Sequence, residues 1–141
     1  MIKIGSFSIG SVVLCELIRP EANNKLSILG VYSADILVPQ FPAQLGLSAY
    51  IEFTPSKIGP CRVEYRFSAP GGTSELNSEV EIVALGQSAM PLPTVPLMVT
   101  EAGPLKVDMK IDDSEWTTIL EKRVIQGAVE TFPTPVEVPS P

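Results

Sequence analysis

Leu47-Ser48-Ala49-Tyr50-Ile51-Glu52-Phe53-Thr54 is the stretch whose reading decides the fold. Leu47, Ala49, Ile51 and Phe53 alternate with Ser48, Tyr50, Glu52 and Thr54. Successive side chains of a β-strand point to opposite faces, so a period of two places one row in a core and the other in water. The same period recurs where Cys61, Val63, Tyr65 and Phe67 alternate with Arg62, Glu64, Arg66 and Ser68. It recurs again where Leu105, Val107, Met109 and Ile111 alternate with Lys106, Asp108, Lys110 and Asp112. Half-buried strands need a second layer against which to bury their apolar rows. The predicted fold is therefore all-β, a two-sheet antiparallel sandwich of seven to nine strands.

Turn chemistry flanks these strands. Gly59-Pro60 and Gly103-Pro104 each open an alternating run, and Pro70-Gly71-Gly72 marks a turn after the second. Asp112-Asp113-Ser114 predicts a short hairpin connection to a strand over 115–121 that carries Trp116, expected in the core. Glu21-Ala22-Asn23-Asn24 separates two stretches, Val12 to Ile18 and Leu26 to Tyr32, that are apolar on both faces. Such runs predict strands covered on both sides, by the other sheet and by a loop or a partner. Asp35 to Val38 predicts a short strand ending at Pro39, and Pro39-Gln40-Phe41-Pro42 a crossover between sheets. A further strand is expected over 79–85. Val95 to Val99, preceded by Pro91 and Pro93 and containing Pro96, reads as an edge strand, because proline cannot donate to a ladder.

One domain is expected over residues 1–130, followed by a flexible proline-rich tail over 131–141. Val124 to Val129 is read as a last strand or a short helical turn. The apolar N-terminal run is broken by Gly5, Ser6, Ser8, Gly10 and Ser11, and Val13-Leu14 before Cys15 is not a small-residue cleavage site. It reads as a first strand rather than a signal peptide. No stretch reaches the roughly 20 apolar residues of a membrane-spanning helix, so no membrane insertion is expected.

Leu14-Cys15-Glu16, the run Asn24-Lys25-Leu26-Ser27-Ile28-Leu29-Gly30-Val31-Tyr32, the segment from Ile36 to Pro42, and Gly103-Pro104-Leu105-Lys106-Val107-Asp108-Met109 together resemble a bacterial family known only as a domain of unknown function. The resemblance spans roughly residues 12–120 and its motifs are structural. It implies a small immunoglobulin-like or related Greek-key sandwich and brings no catalytic residue with it. An antibody-type domain would hold a tryptophan between its two cysteines, whereas Trp116 follows both Cys15 and Cys61.

Composition narrows the chemistry. The chain has no histidine, which removes Ser-His-Asp and Cys-His catalysis and the usual catalytic zinc sites. With a net charge of −6 and ten scattered lysines and arginines, it lacks the basic stripe that nucleic acid requires. Cys15 and Cys61 are read as buried thiols, with a disulfide left open, and the expected compartment is the cytoplasm. No enzyme activity and no cofactor are expected. The only dense group of metal-ligand types is Asp108, Asp112, Asp113 and Glu115, a weak calcium candidate whose plainer reading is a solvated hairpin tip. Tyr32, Tyr50, Trp116, Phe41 and Phe132 are the aromatics available for a carbohydrate platform.

Two functions follow. The first is a non-catalytic protein-interaction module, self-associating or binding a protein partner through an edge strand, with Pro93, Val95, Leu97 and Val99 as the contact residues. The second is a small-ligand or carbohydrate-binding sandwich, assisted by calcium.

Overall fold

The computed structural model describes residues 1–127. Eleven strands occur in this order: β1 (Ile2–Ile4), β2 (Phe7–Pro20), β3 (Leu26–Val31), β4 (Ile36–Val38), β5 (Ala43–Pro55), β6 (Gly59–Ala69), β7 (Gly72–Ile82), β8 (Ser88–Pro91), β9 (Val95–Val99), β10 (Gly103–Ile111) and β11 (Thr117–Gln126). The all-β sandwich is as expected, but the strand count exceeds nine. The reason is local. β8 and β9 run along the same edge of β5 and are separated by the Leu92–Thr94 segment, where three residues stand opposite the two residues Ser48 and Ala49. β1 is a three-residue strand that folds back on β2.

One sheet runs β1-β2-β5-β8, with β3 pairing β2 and β9 pairing β5. The other runs β4-β11-β10-β6-β7. All ladders are antiparallel except β4 with β11, which is parallel. The Pro39–Pro42 crossover carries the chain from β4 in the second sheet to β5 in the first, as the sequence predicts.

The core lies between the sheets and is built by the three alternating rows. Leu45, Leu47, Ala49, Ile51 and Phe53 of β5 face Cys61, Val63, Tyr65 and Phe67 of β6 and Leu105, Val107, Met109 and Ile111 of β10 across it. Phe7 stacks on Phe53 with ring centroids 4.6 Å apart. Tyr65 is buried with its ring, and its hydroxyl donates to Met90 Sδ at 3.0 Å, so the one polar atom of this large core side chain has a partner.

Two sequence expectations need correction and two are sharpened. The strand expected over 79–85 is the end of β7, which begins at Gly72 as the second arm of the Pro70-Gly71 hairpin. Val83 and Leu85 lie beyond it and are exposed. Trp116 is not in the core. It is half-buried on the outer face, with the Arg66 guanidinium 4.3 Å above its ring. The described residues leave one face of 26–31 open, a point taken up below. The last strand or short helical turn expected over 124–129 is the end of β11 as far as Gln126, and residues 128 and 129 lie outside the described ones, as does the tail over 131–141.

Leu105 is fully buried, whereas Leu29 on β3 is exposed. Leu105→Ala is expected to lower stability by about 2–5 kcal/mol through lost burial and the cavity it leaves. Leu29→Ala is expected to stay within about 0.5 kcal/mol of the parent, the usual range for surface changes. Urea unfolding of the two variants beside the parent measures both.

Candidate functional site

The edges of the two sheets determine where another molecule can join. A strand edge exposes N–H and C=O groups at alternate residues, and proteins blunt such edges with proline, charge, shortness or cover. β1 and β4 are three residues long. β7 carries Glu75, Glu79 and Glu81. The part of β11 that β4 leaves unpaired carries Glu121, Lys122 and Arg123. The β8–β9 edge has Pro91, Pro93 and Pro96.

β9 is the edge the sequence singles out, and the structure closes it. The Ser74 hydroxyl of β7 donates to the Pro96 carbonyl at 2.6 Å, and the Thr100 N–H donates to the Pro70 carbonyl at 2.9 Å. A Cβ at Gly72 would collide with the Met98 carbonyl, so the β6–β7 hairpin lies directly against β9 and glycine is what permits the approach. Leu97 and Val99 are 1% and 0% exposed and face the core. Val95 is half-buried opposite Leu47. Of the four residues proposed for contact, Pro93 alone is exposed, on the segment between β8 and β9. The strand forms as expected, but its side chains serve the core.

The four calcium candidates are not brought together. Among the described residues no group of three or more histidine, cysteine or carboxylate side chains converges. Asp108 lies mid-strand on the outer face, 7% exposed, where its carboxylate accepts from Arg66 Nη2 at 3.2 Å and from the Thr118 hydroxyl at 2.6 Å. Arg66 in turn covers Trp116, so Asp108 anchors a small polar patch over the second sheet. Asp112 sits at φ 49° in the hairpin, and its Oδ1 accepts the Arg62 N–H at 2.9 Å. Asp113 and Glu115 point into solvent.

β3 is different from every other edge described. Leu26-Ser27-Ile28-Leu29-Gly30-Val31 contains no charge and no proline, and among the described elements its only substantial neighbour is β2. The register sets Leu17 opposite Leu29 and Cys15 opposite Val31, so these side chains share one face. Leu17, Leu29 and Val31 are 45%, 41% and 47% exposed. On the other face Ile18 stands opposite Ile28, both half-buried. Residues 16–31 thus form a largely apolar ribbon whose Leu17, Leu29 and Val31 are left uncovered by the described residues.

The ribbon is held in place at both ends. At its base the Tyr32 N–H donates to the Leu14 carbonyl at 2.9 Å, and the Tyr32 hydroxyl donates to the Gly46 carbonyl at 3.1 Å. The Thr94 hydroxyl donates to the Glu16 carbonyl at 2.7 Å. At its tip the Glu21 carboxylate accepts from Arg19 Nε and from the Ser27 hydroxyl, each at 2.9 Å, and Asn23 and Asn24 take the positive φ of the turn. The Glu16 side chain lies over Gly30, in the space a Cβ would fill. The sequence signal for this surface was the loss of alternation over 26–31 in a stretch without a charge or proline.

Burial sets the chemistry of the two thiols and of Tyr32 at the ribbon's base. Desolvation pushes the Cys15 and Cys61 thiols up from their ordinary range, which disfavours the reactive thiolate. Desolvation, with the Glu16 charge adding to it, pushes the Tyr32 hydroxyl up to about 12. A tyrosine raised in the folded state holds its proton more tightly there than in the unfolded chain. Its contribution is complete below the unfolded pKa near 10 and is lost as pH rises through about 12. Urea titrations are expected to show stability falling with pH above about 10, and Tyr32→Phe is expected to flatten that fall. Both thiols are expected to resist an aromatic disulfide reagent in the native chain and to react together in denaturant, read by absorbance.

Open depressions mark the surface elsewhere. One of about 780 Å³ is lined by Asp35, Leu37, Pro104, Lys122, Arg123 and Ile125, and within it Arg123 Nη2 donates to Asp35 Oδ2 at 2.6 Å. No helix among the described residues is long and apolar enough to cross a membrane. Residues 10–133 match the sequence model of a family of unknown function, DUF6941, and a search of curated proteins finds no match.

Proposed function

The chain belongs to the DUF6941 family of unknown function, and from the geometry of its open edge we propose that it is a non-catalytic protein-binding module. The observation that carries this reading is the β2–β3 ribbon, which presents Leu17, Leu29 and Val31 beside an unprotected strand edge. Burying each such side chain against a partner is worth about 1.5–3 kcal/mol when burial is complete. Strand addition supplies backbone hydrogen bonds, and the flanking apolar side chains supply selectivity.

The non-catalytic part of the reading rests on the chain having no histidine and on the engagement of its best-placed carboxylates. Asp108 is occupied by Arg66 and Thr118, and Asp112 by the Arg62 backbone. The immunoglobulin-like character is supported by the way β4 pairs parallel with the last strand, β11, at one edge while the chain then crosses to the opposite sheet. Two buried cysteines left as thiols fit a reducing compartment, which supports a cytoplasmic location.

The test uses a photo-crosslinking residue placed at position 29 in the full chain, with position 79 on β7 as the control surface. Crosslinks to a protein are expected at 29 and not at 79, and Leu17→Lys is expected to remove them while leaving the urea midpoint unchanged. An absence of crosslinks at 29, or equal yields at both positions, would overturn the reading.

A further inference from the structure

We propose that the chain holds a second binding site, a cavity between β7 and β8 that takes an uncharged, mainly apolar small molecule carrying one hydrogen-bond acceptor. The site is separate from the β3 edge and goes beyond the protein-binding reading.

The cavity follows from the alternation of β7. Its register on β6 sets Leu76 opposite Tyr65, Ser78 opposite Val63 and Val80 opposite Cys61. Residues opposite one another share a face, so Leu76, Ser78 and Val80 belong to the inward row. Leu76 and Val80 are apolar, as an inward row requires, but Ser78 between them is small and polar. In the other sheet Met90 stands opposite the buried Ile51 and shares its inward face. Among the described residues β7 pairs with β6 and β8 with β5, and no ladder joins β7 to β8. The space left beside Ser78 is a cavity of about 220 Å³ that reaches down to Tyr65. Leu76, Val80, Met90 and Leu92 form its walls.

Size and charge narrow the ligand. An apolar cavity of roughly 150 Å³ holds benzene, so this one takes about nine heavy atoms. None of the described residues that line it is charged. An ionised ligand would give up its hydration to walls that return no counter-charge. The outward row of β7, with Glu75, Glu79 and Glu81, further disfavours an anion.

Tyr65 supplies the polar contact. It is 2% exposed, and its hydroxyl donates to Met90 Sδ at 3.0 Å. A thioether sulfur is a weak acceptor. Burial pushes the pKa of this hydroxyl up, so it keeps its proton and remains a donor. Methionine is flexible, and its sulfur can give way to a carbonyl oxygen, which accepts the same proton more strongly. A ligand with such an oxygen therefore improves the one hydrogen bond that the cavity floor makes.

Amide-resolved NMR titration of the full chain reads the result with three small probes of equal heavy-atom count. Acetophenone carries the carbonyl, isopropylbenzene replaces its oxygen with a methyl group, and benzoate carries a charge. Acetophenone is expected to shift the amides of Leu76, Ser78, Val80, Ala89 and Met90, with a dissociation constant on the order of 1 mM. Benzoate is expected to leave them unmoved. Tyr65→Phe is expected to weaken acetophenone by about threefold to tenfold and to leave isopropylbenzene unchanged, a split that a loosened core would not produce. Ser78→Leu fills the cavity from its wall and is expected to weaken both neutral probes by about tenfold or more, with the urea midpoint at or above that of the parent. An absence of shifts at these amides overturns the site, as do shifts centred instead on Leu17, Leu29 and Val31. So does benzoate binding as tightly as acetophenone, or Ser78→Leu binding as well as the parent. Tyr65→Phe weakening neither neutral probe, or both alike, overturns the role of the hydroxyl and with it the acceptor on the ligand. Crosslinking at position 29 tests the protein-binding reading alone, so the two readings fall separately.

Discussion

Everything in this molecule hangs on the burial of three inward rows of side chains between two sheets. β5 supplies one row, and β6 and β10, neighbours in the opposite sheet, supply the others. None of these strands can stand alone, because each has one apolar face that water disfavours. Packed together they bury Leu47, Ala49, Ile51, Val63, Phe67, Leu105, Val107 and Met109 almost completely. The remaining strands are arranged around this block according to what they can add to it. β2 and β9 contribute Phe7, Ile9, Leu14, Leu97 and Val99, and β4 and β11 contribute Ile36, Val38 and Val124. β3 contributes no fully buried side chain.

That inequality links the fold to the proposed function. A strand whose apolar residues are needed by the core cannot also offer them to a partner, which is why β9 is unsuited to the role its prolines suggested. Its prolines and its contact with the β6–β7 hairpin leave little backbone to pair. β3 has the opposite balance. It is attached through one ladder to the outward half of β2, it is steadied by Tyr32 at the base and Glu21 at the tip, and it keeps its apolar side chains unburied. A protein that exposes such an edge without the usual protections accepts an aggregation hazard.

The polar patch of Arg66, Asp108, Thr118 and Trp116 shows how an acidic residue inside an alternating strand can mislead. On sequence alone Asp108, Asp112, Asp113 and Glu115 form one cluster. The pleat separates them: Asp108 lies on the outer face of a central strand, while Asp112 and Asp113 lie at the hairpin tip. Asp108 is then drawn into an ion pair with a residue 42 positions away, across the β6–β10 ladder. A pair of this kind, nearly buried and satisfied on both sides, organises the surface of the sheet rather than holding a cation.

The amino-acid sequence by itself determined the all-β class, the three core-forming strands, the Pro70-Gly71-Gly72 and Asp112-Asp113-Ser114 turns and the crossover at Pro39–Pro42. Each is a local matter: side-chain alternation follows from the pleat, and turn residues act through their own φ. It also showed that 26–31 is apolar on both faces. What covers those faces is not a local property. Whether an apolar strand is buried depends on which other strands reach it, and that is settled by pairings such as β2 with β5 and β7 against β9, between residues dozens of positions apart. Only the tertiary structure could therefore decide that β9 is closed, that Trp116 sits under Arg66 on the outside, and that β3 is the edge left open.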